Sequence, residues 1–237
     1  MKKITSIFVL IIMVISSNLC FAQKQYGSFM VNSKGFIDGK IPDSLLFVLN
    51  EFSTGSVLLK DGRQQSGKLN IVTYNQKIWF INDKGDTLAM SNNDEVSMLI
   101  AQNTIFKRIR NSFVNIISQD GDYAFGVIKN LNIKEPPKTA AYGGTSETSS
   151  VTEISTLTNG SGSIYQLTPH NHAPYTLSIE PVILKKNSMY FPNRKVFLKI
   201  FKKNKDEISQ YLKENKVDFD DAHQVLKIYQ YAISLKQ

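Results

Sequence analysis

The chain has 237 residues, of which 42% are hydrophobic and 20% are charged, and its formal net charge is +8. A chain of this length can bury a substantial core, and the composition is that of a globular protein, so disorder along the whole chain is excluded. The excess of basic residues favours an anionic partner.

Residues 1–22 have the pattern of a secretory signal peptide. Lys2 and Lys3 precede a short apolar run over residues 7–15, and Ala22 ends the segment. The apolar run is too short to span a membrane comfortably as a helix. We therefore expect an exported protein of the periplasm or cell envelope, without a transmembrane helix once the signal is removed.

Cys20 allows an alternative, in which the chain is a lipoprotein acylated at this cysteine. Leu19 argues against acylation, because a small residue is expected directly before an acylated cysteine. Cleavage after Ala22 would instead remove the only cysteine of the chain. The mature protein would then have no disulfide, no thiolate metal site and no cysteine nucleophile.

The central stretch, residues 55–134, is predicted to be a unit of consecutive β-hairpins. Apolar and β-branched runs of strand length alternate there with turn dipeptides that accept a positive φ. The predicted hairpin turns are Asp61-Gly62, Gly85-Asp86 and Gly121-Asp122. Around Trp79 both faces of the strand are apolar, which favours a sandwich, a closed barrel or a sheet covered by helices.

Three segments surround this unit. Residues 23–54 contain scattered glycines and a short apolar run, and we interpret them as an N-terminal strap that packs onto the β unit. Residues 135–163 are rich in Ser, Thr and Gly and are predicted to be a loop or linker. Residues 164–237 begin with a β-hairpin and then change to helical periodicity.

The tail is predicted to contain three helices. Asn193 is placed to cap the first, and Asn204 with Glu207 has the spacing of a capping box for the second. Asp218 or Asp220 is expected to cap the last helix, whose apolar residues recur every three or four positions. The predicted fold class is therefore α+β and mainly β: an antiparallel meander, as a small sandwich or barrel-like sheet, followed by a helical C-terminal part.

Turn and strand patterns in two parts of the chain are distinctive. They lie in Gly55–Gly62, Gly67–Asn70 and Phe80–Ala89 of the β unit, and in the tail from Phe197 through Phe219. These segments resemble uncharacterised exported proteins of Bacteroidetes-type Gram-negative bacteria, over most of the mature chain. The resemblance implies a periplasmic or cell-envelope setting, and no activity or site comes with it.

Basic residues concentrate between Lys185 and Lys205, where the sequence has no carboxylate. Loss of Lys2 and Lys3 with the signal lowers the formal charge from +8 to +6, and this segment holds much of the remaining excess. On a helix after Asn193, an apolar stripe and the lysines would lie on different faces, which suits docking on an anionic surface. The residues predicted to bind such a surface are Lys185, Lys186, Arg194, Lys195, Lys199, Lys202 and Lys203.

The same helix also has a purely structural interpretation. Its apolar stripe, Val196, Phe197, Ile200 and Phe201, would pack on the β unit, and the lysines would only be solvated. In a cytoplasmic protein, a basic segment of this kind would indicate nucleic acid. Because export is expected, the predicted partner is an envelope protein, a lipid or a glycan, and not nucleic acid.

His170 and His172 form the most metal-like pattern of the sequence, because two histidines two positions apart on a strand face the same side. A stable site needs a third ligand, which His223 or a carboxylate would supply. Such a site would indicate a metal-assisted hydrolase. The flanking prolines, Pro169 and Pro174, make a hairpin loop the simpler explanation.

The remaining patterns favour structural roles. The Asp-Gly and Gly-Asp pairs resemble calcium loops but lack the EF-hand spacing, so we interpret them as hairpin turns. The sequence has no Gly-x-Ser-x-Gly motif, phosphate loop or dinucleotide fingerprint, and no cofactor is expected. Ser44 and Thr87 match a short O-glycosylation pattern of exported bacterial proteins, in which chance matches are frequent.

These patterns together favour a non-catalytic binding or assembly protein of the cell envelope. One alternative is a peripheral binder of anionic lipid or glycan that uses the basic C-terminal helix. The other is a metal-assisted hydrolase centred on His170 and His172.

Overall fold

The computed structural model describes residues 24–31, 37, 39–134, 138–139, 145–146, 156–158, 164–166 and 171–236. The chain forms two compact units. The meander unit consists of Lys24–Phe113 and Lys129–Ser178, and the helical unit contains Val114–Ile128 and Ile179–Gln237. The predicted signal peptide and most of the predicted loop over 135–163 lie outside the described residues.

The meander unit is mainly antiparallel β-sheet. Its strands in the large sheet include β1 (Lys24–Val31), β2 (Ser53–Leu59), β3 (Gln64–Ile71), β4 (Ile78–Ile81), β5 (Thr87–Ala89), β6 (Val96–Ala101) and β7 (Thr104–Ile109). A single helical turn, α1 (Asp43–Leu46), precedes β2. Four very short strands pair two by two, namely β10 (Lys138–Thr139) with β11 (Thr145–Ser146), and β12 (Thr156–Thr158) with β13 (Ile164–Gln166). The unit boundaries fall within β8 (Ser112–Asp120), β9 (Tyr123–Ile133) and β14 (Asn171–Lys185).

The three predicted hairpins are confirmed as β2–β3, β4–β5 and β8–β9, all of them antiparallel. In the meander unit the strands pair in the order β5, β4, β3, β2, β6, β7, so β6 returns beside β2 instead of continuing from β5. The path of paired strands does not close on itself. The mainly β prediction is therefore confirmed, and the sheet is open.

The core of the meander unit follows from strand alternation. Every second residue of β2, β3, β4, β6 and β7 points to the same side of the sheet. The buried residues on that side include Val57, Leu59, Leu69, Ile71, Ile78, Leu99 and Phe106. Their burial explains why the apolar runs of the sequence are needed in these strands.

The segment before β2 is attached to the sheet by buried polar groups. The Asn70 side chain is fully buried; its Oδ1 accepts from Leu49 N at 3.0 Å, and its Nδ2 donates to Leu49 O at 3.0 Å. Lys129 Nζ donates to the carbonyl oxygens of Ser44 and Phe47 at 2.9 and 2.8 Å. Burial lowers the pKa of this ammonium group. These bonds pair backbone groups that α1 and the following turn leave open.

The helical unit places three helices with the strands β8, β9 and β14. The helices are α2 (Arg194–Ile200), α3 (Lys205–Asn215) and α4 (Ala222–Ser234), and β15 (Ser188–Tyr190) pairs with the end of β14. The shared core contains Phe125 and Ile183 from the strands and Phe197, Ile208 and Tyr229 from the helices. Every helix among the described residues is too short or too polar to span a lipid bilayer.

Of the predicted helix caps, only the first is confirmed. Asn193 Oδ1 accepts from Val196 N at 2.9 Å and caps α2. The predicted capping box at Asn204 is wrong, because this side chain does not bond to the N-terminus of α3. Asn204 Nδ2 instead donates to Leu235 O at 3.1 Å, a carbonyl at the C-terminal end of α4. The last carbonyl groups of a helix have no partner within the helix, so Leu235 O accepts a hydrogen bond from the Asn204 amide.

The cap of α4 is also displaced from the prediction. Asp221 performs this role, since its Oδ1 accepts from His223 N at 2.8 Å and from Gln224 N at 3.2 Å. Hydrogen bonds from the backbone N–H groups and from Gln224 outweigh desolvation and lower the pKa of Asp221. With several aspartates in the loop, the sequence pattern did not distinguish which of them begins the helix.

Replacement of Asn70 by leucine should destabilise the meander unit. The side chains have similar size, but leucine leaves Leu49 N and Leu49 O unpaired in a buried site, so we expect a loss of about 2 kcal/mol or more. Urea denaturation at neutral pH measures this loss. Gln64→Ala, at an exposed position of the same strand, serves as the control and should change the free energy of unfolding little. An equal loss in both variants would contradict the role of the Asn70 bonds.

Replacement of Tyr229 by phenylalanine should stabilise the helical unit. The Tyr229 hydroxyl is buried and has no hydrogen-bond partner among the described residues, so its removal relieves a desolvation cost of about 1 kcal/mol. Burial, with a smaller contribution from the charge of Asp120, raises the pKa of Tyr229 to about 12.

The raised pKa of Tyr229 also predicts how the free energy of unfolding depends on pH. Between about pH 10 and 12 the folded protein keeps the Tyr229 proton while the unfolded chain loses it, so the free energy of unfolding falls as the pH rises. Denaturation curves at pH 8 and near pH 11 should show a larger advantage of Tyr229→Phe at the higher pH. An advantage that shrinks as the pH rises would contradict this account.

Candidate anion-binding groove

The packing of α2 determines where its lysines point. Phe197, Ile200 and Phe201 are buried in the core of the helical unit, which fixes one side of the helix. Lys195 and Lys199 are exposed on the remaining surface, and a 3-10 turn at Lys202–Asn204 adds further basic side chains directly after the helix. Phe197, Ile200 and Phe201 are therefore core residues, as the structural interpretation of this helix predicts. The core to which they belong is that of the helical unit.

A cavity of about 380 Å³ opens where this turn meets the end of α4. Its basic lining residues are Lys185, Lys199, Lys202, Lys203 and Lys236. Tyr123, Ile200, Phe201 and Asn204 form the rest of the lining. Five ammonium groups thus surround a partly aromatic cavity.

Tyr123 is held in this cavity by aromatic and cationic neighbours. Its ring stacks on Phe201, with 5.3 Å between the ring centroids and 19° between the planes. Lys236 Nζ lies 4.1 Å and Lys185 Nζ 5.2 Å from the ring centroid, within the range of cation–π attraction. Lys236 also pairs with Asp120 at 3.1 Å, and Lys185 donates to Ile200 O at 3.4 Å. Contacts within the protein therefore hold Lys185 and Lys236 in place.

A second, larger concavity of about 710 Å³ adjoins the first and shares Lys199 and Lys202 with it. Its other lining residues are Arg194, Lys195, Leu198 and Lys205. We call the two concavities together the basic groove. The Arg194 guanidinium is fixed there by a hydrogen bond from Nη2 to Ser209 Oγ at 2.8 Å.

The basic groove concentrates positive charge, of which the ion pair between Lys236 and Asp120 compensates only a part. Neither concavity has an aspartate or glutamate among its lining residues. Within the described part of the chain, Lys195, Lys199, Lys202, Lys203 and Lys205 form no ion pair. Like charges held this close repel one another, and a polyanion bound along the groove would relieve the repulsion.

The structure brings most of the predicted anion-binding residues together. Lys185, Lys199, Lys202 and Lys203 line the smaller concavity, and Arg194 and Lys195 join at the larger one. Lys186 is different: it adopts a positive φ in the turn after β14, its N–H donates to Asp122 O at 2.7 Å, and it lines neither concavity.

Sequence reasoning missed Tyr123, Asn204 and Lys236. Tyr123 follows a predicted hairpin turn, and Lys236 is the penultimate residue of the chain. Only tertiary packing places them beside α2, and no spacing or composition signal connects these positions. Lys205 belongs to the basic segment, yet it was not among the residues predicted to bind.

The proposed metal site gains no further ligand in the described part of the chain. His172 is exposed on β14, where its Nδ1 lies 3.4 Å from Ser28 Oγ. His170 lies outside the described residues, and His223 is at the start of α4. Among the described residues, no group of three or more His, Cys, Asp or Glu side chains could hold a metal ion. The expected hairpin loop at His172 is wrong, because this residue pairs with Met30 in a regular strand ladder.

The acidic turns have the structural roles that the sequence predicts. Asp61 Oδ1 accepts from Arg63 N at 2.9 Å, and its Oδ2 accepts from Arg63 Nε at 2.7 Å. These hydrogen bonds lower the pKa of Asp61. Gly62, Gly85 and Gly121 adopt positive φ values of 89°, 86° and 51°, which glycine accepts without strain. Asp61 therefore shapes a turn through its hydrogen bonds with Arg63.

Ser44 and Thr87, which match the short glycosylation pattern, are both exposed, Ser44 in α1 and Thr87 in β5.

Comparison with protein families, with curated proteins and with solved structures finds no match to this chain.

Proposed function

We propose that this chain is an exported, non-catalytic binding protein of the cell envelope, and that its helical unit binds an acidic polysaccharide along the basic groove. The observation that carries the proposal is the continuity of two concavities, of about 380 and 710 Å³, through their shared residues Lys199 and Lys202. A continuous basic groove suits a polymer that repeats its negative charges along its length. Export and the envelope setting come from the signal-like N-terminus and belong to the same proposal.

The free lysines support a polyanion as the ligand. Lys199, Lys202 and Lys203 form no ion pair within the described residues, so no internal carboxylate has to be displaced before an external anion binds. Tyr123 lines the smaller concavity, where its ring, stacked on Phe201, holds the ammonium groups of Lys185 and Lys236 beside it. Ammonium groups beside an aromatic ring suit a sugar that carries a carboxylate.

A bilayer surface fits the same residues less well. Membrane docking by an amphipathic helix requires an apolar face that enters the lipid. In α2 that face consists of Phe197, Ile200 and Phe201, which are buried in the core. Binding to lipid would therefore depend on charge alone, and a concave surface makes fewer contacts with a flat bilayer than with a chain lying inside it.

The test uses the mature chain and polygalacturonate, a polymer with one carboxylate on each sugar. Calorimetric titration should show saturable binding that weakens as salt is added, and no binding to uncharged dextran. Charge reversal by Lys199→Glu with Lys202→Glu should weaken binding by about tenfold or more, because two attractive contacts become repulsive.

The matched control reverses Lys213 and Lys227, two exposed lysines of α3 and α4 that line neither concavity. It alters the net charge by the same amount and should retain most of the affinity. Equal weakening in both double variants would show that total charge matters and not the groove. Binding to phosphatidylglycerol vesicles without binding to the polymer would replace the proposal by a membrane partner.

A further inference from the structure

A second cavity, of about 530 Å³, lies within the meander unit and is independent of the basic groove. It opens on the inner face of β2, β3 and β4. Its floor is apolar and includes Val57, Leu69, Phe80 and Met90. Strand register explains the grouping. Leu69 pairs with Phe80, so both lie on one face of the sheet, and Met90 N donates to Ile78 O at 2.8 Å.

Gly67 is one of the lining residues of this cavity and lies in the interior of β3. A Cβ atom added there would have Leu69 Cδ2, at 4.0 Å, as its nearest neighbour, so a side chain has room. The backbone of Gly67 does not need a positive φ, and no strain would oppose a larger residue. A glycine inside a strand costs about 0.5–1 kcal/mol relative to alanine, and here no close contact requires it.

Gly55 shows the contrasting case on the neighbouring strand, where it pairs with Gly67. A Cβ atom at Gly55 would collide with the backbone carbonyl oxygen of Ile100 and touch Ala101. The absence of a side chain at Gly55 is therefore explained by packing within the sheet. At Gly67 the absence of a side chain relieves no collision and leaves the cavity open. A strand glycine of this kind is typical of a position that a ligand approaches closely.

The lining also indicates the chemistry of the ligand. Gln65 and Asn82 contribute polar side chains, and Asp83 is the one ionisable side chain among the lining residues. The described residues that line the cavity include no lysine or arginine, although the chain has a formal charge of +8. An apolar floor with a few polar groups at the rim is the usual form of a small-molecule site, and volumes of about 300–1,000 Å³ are typical of such sites.

We propose that the cavity over Gly67 binds a small molecule with an apolar body and an uncharged or cationic polar end. The apolar body would rest on Leu69 and Phe80, and the polar end would face Asp83. Gly67 keeps the space open, at a cost to strand stability. This site and the basic groove have opposite charge preferences, so they would take different ligands.

The first experiment titrates the mature chain with the uncharged dye Nile red and follows its fluorescence. The wild type should give saturable binding of one dye per chain, Gly67→Val should weaken it by about tenfold or more, and Gly67→Ala should have an intermediate effect. Lys68→Thr also adds a β-branched residue to β3, but on the opposite face, and should bind like the wild type.

Urea denaturation of the same variants separates binding from folding. Gly67→Val should be at least as stable as the wild type, because it fills the cavity and removes a strand glycine. Absence of saturable binding by the wild type would overturn the proposal. Equal affinity of Gly67→Val and the wild type would also overturn it, as would a Gly67→Val variant that is much less stable.

The second experiment tests the charge preference by displacement of Nile red below the micelle concentration of each competitor. Decyltrimethylammonium should displace the dye at a lower concentration than decyl sulfate, and Asp83→Asn should remove this difference. Stronger displacement by decyl sulfate from the wild type would overturn the assignment of an uncharged or cationic ligand.

Discussion

Phe201 is buried at the end of α2, 6.0 Å from the ring of Phe197 and 5.3 Å from that of Tyr123. This aromatic stack joins the helix core to the strand residue at the floor of the basic groove. Because Phe197 and Phe201 occupy the core, the lysines between and after them must lie on the surface. Burying large aromatic rings thus determines the arrangement of the charges, and the lysines themselves contribute little to folding.

The basic groove and the cavity over Gly67 are the two proposed sites, and they arise from different features of the chain. In the groove, ammonium groups lie close together and the lining residues include no carboxylate. Repulsion between these like charges lowers the stability of the folded protein when no anion is bound. Over Gly67, a missing side chain leaves core space unfilled. Both arrangements give up some stability locally, as functional sites commonly do.

Local signals in the sequence were sufficient for the hairpins but not for the order of the strands. Turn dipeptides with glycine at positive φ predicted β2–β3, β4–β5 and β8–β9 correctly. The return of β6 beside β2 is a long-range pairing, which no turn encodes. Helix caps were predicted where a single candidate existed, at Asn193, and were displaced where several aspartates competed near Asp221. The basic segment was visible as composition, whereas Tyr123 and Lys236 join it only through tertiary packing.

Binding of an acidic glycan along the basic groove is the central claim, and residue-resolved NMR tests it most directly. Titration of the isotope-labelled mature chain with a short galacturonate oligomer should shift the signals of Lys199, Lys202 and Tyr123 first and most strongly. Signals of exposed lysines outside the groove, such as Lys213 and Lys227, should change little. Shifts spread evenly over all exposed lysines, or confined to residues outside the groove, would contradict the account.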